Sequence, residues 1–250
     1  MTSSFLPRPG LQALIDTLRD LGYRVIGPTV LDGAVQYLDI TDAAQLPAGV
    51  TDAQSPGRYR LDPDSSPRTF SWANGPQALK PYLFSARETL WRSTRNAAGQ
   101  LSFAAEPVNE RALAVIGVRA CDIAACRLQD RHFLDGVPDA AYTTRREGLF
   151  TVAVHCSRPA ATCFCASTGD GPRADEGFDL ALSELDDGFI VVAGSDAGQA
   201  VAEALPTAPA AESQLRQADA EIDEAARRQT RQLPSRNLRA ALFERLDHPR

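Results

Sequence analysis

Two predominantly apolar runs constrain the fold of this chain more than any other feature of its sequence. They read ALAVIGV at 112–118 and LFTVAV at 149–154, and neither alternates with polar residues. Such runs are typical of strands that are buried on both faces, as in a parallel sheet covered by helices. The segment between them, CDIAACRLQDRHFL, has the apolar spacing of a helix. This alternation predicts an α/β fold with a mostly parallel central sheet.

The flanking segments predict further elements. Apolar spacing predicts a helix over about 9–21, with Gly22 where a helix C-cap would lie. The dipeptide Asp32-Gly33 predicts a hairpin, which we expect to belong to an N-terminal subregion. FDLALSEL at 178–185 and GFIVVAG at 188–194 predict a third and a fourth strand of the sheet.

Local composition predicts the parts outside the sheet. Residues 41–68 are rich in Pro, Asp and Ser and are expected to form a loop. Ser85 and Glu88 have the spacing of a capping box, which predicts a helix through Trp91. The segment PTAPAAE resembles a linker, and a mostly polar helix follows it. We therefore expect an α/β domain over 1–205, and a linker with surface helices over 206–250.

Charge and hydropathy exclude two classes of partner. The chain has 250 residues and a net charge of −6, without a long block of Lys or Arg. Nucleic-acid binding needs clustered positive charge, so we expect no nucleic-acid partner. The start, MTSSFLPRPG, lacks the apolar core of a signal peptide, and no apolar run is long enough to span a bilayer. We therefore expect a cytoplasmic protein with no membrane partner.

Cysteine placement is the most informative chemical feature. The chain has five cysteines, and an odd count leaves one over from any disulfide framework. Cys121 and Cys156 each follow one of the two buried runs, and Cys163 and Cys165 follow in the next loop. The carboxyl ends of parallel strands meet at one edge of a sheet, where open α/β sheets bind ligands. We therefore expect these four thiols to converge. Clustered cysteines in a reducing compartment more often bind metal or do redox chemistry than form disulfides.

The fifth cysteine is expected to stand apart. Cys126 lies about 140° around the helix from Cys121, at about 3.6 residues per turn, and is interpreted as a small buried apolar residue. Four thiolates suit zinc or an iron–sulfur cluster. Paired zinc knuckles of the C-x₂₋₄-C type are missing, so the spacing favours a cluster, with zinc and unligated thiols left as alternatives. The backbone of Gly169 and Gly171 could approach the sulfurs, and Arg119 could offset their negative charge.

Several stretches resemble the beta subunit of sulfhydrogenases and NAD(P)-linked nickel–iron hydrogenases, a family that also takes in the A subunit of anaerobic sulfite reductase. The most specific are GVRACD and ATCFCAS, and the others are GYRVIGPTVLDGAVQY, PGRYRL, KPYLFSARETLW and the rest of the segment from His155 to Leu185. The resemblance implies an iron–sulfur electron-transfer subunit that is not catalytic alone. It would relay electrons between a flavin- and NAD(P)-binding subunit and a hydrogenase or reductase catalytic subunit.

The resemblance also identifies the expected ligands. It implies one cluster, of the [4Fe–4S] type, on Cys121, Cys156, Cys163 and Cys165. Members of the family are similar to a two-cluster ferredoxin in their C-terminal part, with repeated C-x₂-C-x₂-C-x₃-C runs that this sequence lacks. We therefore expect a truncated or naturally short form. Two alternatives are a zinc-binding or metal-free docking domain, which would be colourless, and a flavin-binding redox domain, which would release flavin on denaturation.

Overall fold

A computed structural model describes residues 3–75, 79–106, 111–233, 242–243 and 245–246 of the chain. The strands in these ranges are, in chain order, β1 (Ser3–Pro7), β2 (Arg24–Leu31), β3 (Ala34–Asp39), β4 (Val50–Ser55), β5 (Arg58–Pro63), β6 (Trp91–Arg95), β7 (Leu101–Ala105), β8 (Leu113–Val118), β9 (Leu149–Val154), β10 (Leu180–Glu184), β11 (Gly188–Ala193) and β12 (Ala208–Pro209). The α-helices are α1 (Gly10–Asp20), α2 (Lys80–Leu83), α3 (Ala120–Phe133), α4 (Ala140–Glu147), α5 (Cys165–Thr168), α6 (Asp196–Ala204) and α7 (Glu212–Arg227).

The main sheet has eight strands in the order β12-β1-β11-β10-β9-β8-β2-β3. Its four central strands, β10, β9, β8 and β2, run parallel, and antiparallel strands flank them on both sides. The predicted α/β class and mostly parallel centre are therefore confirmed. The hairpin around Asp32-Gly33 forms one edge of this sheet, because its first strand is itself apolar and pairs with β8.

Apolar side chains on both faces explain why the sheet lies in the interior. Every residue of β8 and β9 after the first is buried, as expected for runs without polar alternation. On β11 the residues alternate between two faces. Phe189 and Val191 pack in the main core, while Ile190 packs with Ala218 of α7. Helix α7 therefore covers one face of β11, and α6 contacts the same strand from the main core.

Two local predictions are wrong. Residues 50–63 form the hairpin β4–β5 instead of a loop. Strand β4 buries Thr51 and Asp52, and a polar composition gives no sign that such residues will be buried. The helix predicted from Ser85 and Glu88 does not form. Helix α2 ends at Leu83, and the Ser85 hydroxyl donates to the Arg87 carbonyl instead of capping a helix. Trp91 begins a strand that pairs with β7.

A bulge at the end of β8 shapes the edge that follows it. The pairing of β8 with β9 shifts between Ile116 and Val118, and Gly117 adopts a φ of 93°. A Cβ at this position would lie 3.3 Å from both Phe70 and Pro28, so glycine is required there. The Tyr37 hydroxyl donates to the Gly117 carbonyl at 2.7 Å and secures the bulge.

No helix in the described ranges is long and apolar enough to cross a membrane. Part of the segment 206–250, which we expected to form a linker and surface helices, lies outside the described residues. Within that segment, β12 pairs with β1 and α7 packs on the sheet.

Candidate functional site at the cysteine loop

Two parallel strands bring Cys121 and Cys156 to one edge of the sheet. Val118 of β8 pairs with Ala153 of β9, and each cysteine lies three positions after one of these paired residues. Cys121 is in the first turn of α3. Cys156 follows β9, where its backbone N–H donates to the Pro172 carbonyl at 3.2 Å. The neighbouring, parallel strands of the sequence prediction are therefore confirmed.

The loop after β9 folds back over this edge. Cys163 donates its backbone N–H to the Ala160 carbonyl at 3.0 Å, and Cys165 begins the short helix α5. Gly169 ends that helix in the left-handed conformation, with a φ of 74°. A Cβ on Gly171 would lie 3.2 Å from the Cys165 sulfur and 3.1 Å from Ala120. Glycine at this position therefore lets the loop carry the Cys165 sulfur close to the start of α3.

The four thiols interact electrostatically. Burial is the largest cause of the raised pKa of each, and neighbouring sulfurs raise it further. The pKa of Cys121 is raised by Cys156 and Cys165, and the pKa of Cys156 is raised by Cys165. The pKa of Cys163 is raised by Cys156, and that of Cys165 by Cys163. Thiols with raised pKa values stay protonated at neutral pH unless a metal binds them.

Cys126 lies in a different environment on the same helix. It is 3% exposed, and burial raises its pKa to about 11. The charged groups that act on its pKa are Arg146, Asp122 and Asp130, and no other cysteine is among them. The structure therefore places Cys126 in the apolar layer beneath α3, apart from the other four.

Arg119 is a buried cation at the centre of this edge. Its side chain is 1% exposed and lies over the Trp72 ring, 4.7 Å from the ring centroid. One terminal nitrogen donates to the Phe70 and Trp72 carbonyls, both at 2.8 Å, and the other donates to two carbonyls at the end of β9. Its Nε has no hydrogen-bond partner, and Arg119 forms no salt bridge among the described residues, although its charge interacts with that of Asp122.

This guanidinium is the feature that fits an anionic group at the site. A buried charge is costly unless an opposite charge compensates it. Arg119 lowers the pKa of Cys121, Cys156 and Cys163 against the larger effect of burial. A thiolate-bound iron–sulfur cluster carries negative charge, so a group of thiols beside a buried cation that forms no salt bridge suits that chemistry.

The segment 69–74 is part of the site although sequence reasoning did not include it. Its Phe70 and Trp72 carbonyls accept from Arg119. Two buried carboxylates hold it in place. Glu184 accepts from the backbone N–H groups of Thr69 and Phe70, at 2.6 and 2.7 Å, and Asp52 accepts from that of Ala73 at 2.6 Å. A sequence signal did exist, since Glu184 is the one charged residue of β10, which begins with three apolar residues.

Two polar residues next to the cysteines have defined hydrogen-bonding roles. Asp122 accepts from the backbone N–H of Arg119 at 3.1 Å and from the Asn74 amide, and burial raises its pKa to about 6. His155 accepts at Nδ1 from the Ala174 N–H at 3.1 Å, and burial lowers its pKa to about 4. His155 is therefore a neutral, hydrogen-bonded residue whose Nδ1 is already occupied.

A second missed residue is Gln229, beyond the end of α7. Its side-chain amide lies 3.2 Å from the Cys165 sulfur. Nothing in the polar sequence around it indicates this contact, because the two residues are 64 positions apart. Within the described ranges, no group of three or more His, Cys, Asp or Glu side chains is arranged to hold a single metal ion.

Comparison with curated proteins finds the sulfhydrogenase 2 subunit beta of Pyrococcus furiosus, 40% identical over 84 residues. The match covers 34% of this chain and 25% of that protein, so the chain matches about a quarter of the length of its relative. No family model matches the chain. No solved structure matches it either. Over the matched segment, the resemblance to the sulfhydrogenase beta subunit is confirmed.

Proposed function

We propose that this domain is an iron–sulfur electron-transfer module of a multi-subunit oxidoreductase, with one [4Fe–4S] cluster on Cys121, Cys156, Cys163 and Cys165. The observation that carries the proposal is the electrostatic coupling of four neighbouring thiols, three of which also interact with the buried Arg119. The similarity to a sulfhydrogenase subunit supports it independently.

Each part of the site has a distinct task in this proposal. A bound cluster accepts and releases one electron at a time. Arg119 offsets the negative charge of the ligating sulfurs, and its hydrogen bonds to backbone carbonyls keep the guanidinium in place. Gly169 and Gly171 allow the tight return of the loop that carries Cys163 and Cys165. The partial burial of Cys156, Cys163 and Cys165 strengthens these charge interactions, whereas Cys121 is exposed.

The expected partners follow from the relative. The matched protein is named as a subunit of a sulfhydrogenase, and such a subunit works with others. We propose that this domain passes electrons between a flavin- and NAD(P)-binding subunit and a hydrogenase or reductase catalytic subunit. It would convert no substrate itself.

Cysteine-to-serine substitution tests the site. The protein is purified anaerobically, reconstituted with iron and sulfide, and analysed for both elements and for visible absorbance. Replacement of Cys121, Cys156, Cys163 or Cys165 should abolish or strongly alter the brown absorbance, because each removes a cluster ligand. Cys126→Ser is the matched control and should retain the wild-type spectrum.

Three outcomes contradict the proposal. The first is a reconstituted protein without stoichiometric iron. The second is loss of colour in Cys126→Ser to the same extent as in Cys165→Ser. The third is a colourless zinc protein, or a coloured protein that releases flavin on denaturation, and either result assigns one of the two alternative functions instead.

A further inference from the structure

The chain beyond α7 crosses the cysteine loop. We call residues 229–233 the C-terminal strap. Gln229 is 7% exposed and contacts Cys165, as described above. Two further hydrogen bonds continue the contact. Arg231 donates from Nε to the Ala161 carbonyl at 3.1 Å, and the Leu233 backbone N–H donates to the Ser167 hydroxyl at 3.1 Å. The strap therefore contacts the loop on both sides of Cys163 and Cys165.

The orientation of the Gln229 amide follows from its partners. Its Oε1 lies 3.0 Å from the backbone nitrogen of Ala166. A backbone N–H can donate but not accept, so the oxygen of the amide must face Ala166. The Nε2 group then faces the Cys165 sulfur at 3.2 Å and donates to it. The oxygen of the Gln229 amide therefore accepts from the loop backbone, while its nitrogen donates to the Cys165 sulfur.

Packing of α7 places Gln229 at this position. Ile222 and Ala225 of α7 are buried against the rest of the protein. Arg68, from the segment before the site, pairs with Glu221 through both terminal nitrogens and with Asp186 through Nε. Gln229 comes two residues after the end of this anchored helix. Its approach to Cys165 is therefore set by tertiary packing.

We propose that Gln229 is a positioning residue that holds the Cys165 sulfur and raises the reduction potential of the redox centre on it. This inference rests on the function proposed above, and it identifies a residue that sets the reduction potential of the proposed cluster. An N–H donor stabilises negative charge on sulfur, and the reduced state carries more of that charge. Loss of the donor therefore favours the oxidised state.

Two substitutions separate the hydrogen bond that Gln229 accepts from Ala166 from the one that it donates to the Cys165 sulfur. Gln229→Leu keeps the approximate size of the side chain and removes both. Gln229→Glu keeps an acceptor for the Ala166 N–H, but it removes the donor to sulfur and adds a negative charge. Gln217→Leu is the matched control, because Gln217 is an exposed glutamine of α7 that contacts Glu221.

The first measurement uses metal-free protein and amide hydrogen exchange at Ala166. Exchange should be roughly two- to tenfold faster in Gln229→Leu, the effect of one lost hydrogen bond, and unchanged in Gln229→Glu and Gln217→Leu. Unchanged exchange in Gln229→Leu would show that the strap does not hold the loop, whether or not a cluster binds.

The second measurement is the midpoint potential of reconstituted protein. In Gln229→Leu the ratio of reduced to oxidised cluster at a fixed potential should fall roughly two- to tenfold, where tenfold is about 59 mV for one electron. The Glu variant should have a lower potential still, and Gln217→Leu should match the wild type.

The outcomes separate this inference from the proposed function. A fully loaded Gln229→Leu protein with the wild-type potential overturns the role of Gln229 and leaves the cluster assignment intact. Cluster loss in Gln229→Leu alone also overturns it, because Gln229 would then be needed for assembly rather than for tuning. A wild-type protein that binds no cluster overturns the proposed function and, with it, the effect on potential.

Discussion

Arg119 shows how a single residue connects the fold to the site. Its guanidinium donates hydrogen bonds to the carbonyls of Phe70 and Trp72 and to two more at the end of β9. These carbonyls would otherwise need water as their donor. The same guanidinium lowers the pKa of the Cys156 thiol against the effect of burial. Stability and charge compensation therefore depend on the same side chain.

Replacement of Arg119 by methionine tests its structural part. Removal of the charge relieves a desolvation cost, but it leaves the Phe70 and Trp72 carbonyls without donors, at about 1–3 kcal/mol each. We expect the second effect to dominate and the free energy of unfolding to fall by about 2–5 kcal/mol. Urea unfolding of metal-free protein measures it.

A surface arginine provides the comparison. Arg127 pairs with Glu176, and both side chains are largely exposed, so Arg127→Met should cost no more than about 1 kcal/mol. Equal stability of the two variants would contradict the structural role of Arg119.

Cys126 should differ from the other cysteines in reactivity. Its pKa of about 11 lies above the unperturbed value of 9.0, so at pH 8 its thiolate fraction is about 100-fold lower than that of an unperturbed thiol. Alkylation of Cys126 should be slower in native metal-free protein than in urea, and its rate should rise with pH towards 11.

Mass spectrometry of alkylated peptides over time measures these rates. The same peptide in urea serves as the reference, since burial and its pKa shift are then lost. A native rate equal to the unfolded rate would show that Cys126 is not buried beneath α3.

At the scale of elements, the end of β10 controls the segment that supports Arg119. Glu184 accepts from the N–H groups of Thr69 and Phe70 and pairs with Arg8 at 2.8 Å. Its carboxylate is 2% exposed, so these charge-assisted hydrogen bonds lie in an environment of low dielectric constant.

Replacement of Glu184 by glutamine should loosen this segment. The variant keeps the shape of the side chain, but it loses the charge and presents an amide donor to groups that themselves donate. We expect the free energy of unfolding to fall by about 2–4 kcal/mol. Glu203→Gln, on the exposed side of α6, is the control and should change it by less than about 0.5 kcal/mol.

Hydrogen exchange locates the effect. The Thr69 and Phe70 amides should exchange faster in Glu184→Gln than in Glu203→Gln. Wild-type protection of both amides in Glu184→Gln would rule out the carboxylate as the group that holds the segment.

At the scale of the whole molecule, elements beyond residue 205 pack on the main sheet. Strand β12 extends the main sheet beside β1, and α7 buries Ala218, Ile222 and Ala225. The domain boundary expected between residues 205 and 206 stays a prediction. The packing itself predicts that α7 stabilises the sheet.

Two truncated chains test this prediction. A chain of residues 1–205 loses the burial of Ile222 and the Arg68–Glu221 pair, whereas a chain of residues 1–233 keeps both. We expect the shorter chain to be less stable by at least about 2 kcal/mol, comparable to the loss of one large buried side chain. Thermal and urea unfolding measure the difference, and equal stability would mean that α7 is an independent appendage.

The sequence by itself determined the fold class and the four cysteines proposed as ligands. Short apolar runs that alternate with a helical pattern are typical of covered strands, and parallel strands bring their following residues to one edge, so Cys121 and Cys156 could be placed together. The 3.6-residue period placed Cys126 elsewhere. These inferences rest on local periodicity and on short distances along the chain.

Tertiary structure alone decided the surroundings of those cysteines. Composition predicted a loop at 41–68, yet Asp52 in β4 is buried because it accepts from Ala73, which is 21 residues away. Glu184 and Gln229 contact the site across 115 and 64 positions of sequence. A polar side chain becomes buried when a partner satisfies its hydrogen bonds, and that partner is chosen by the packing of distant elements, which no local pattern records.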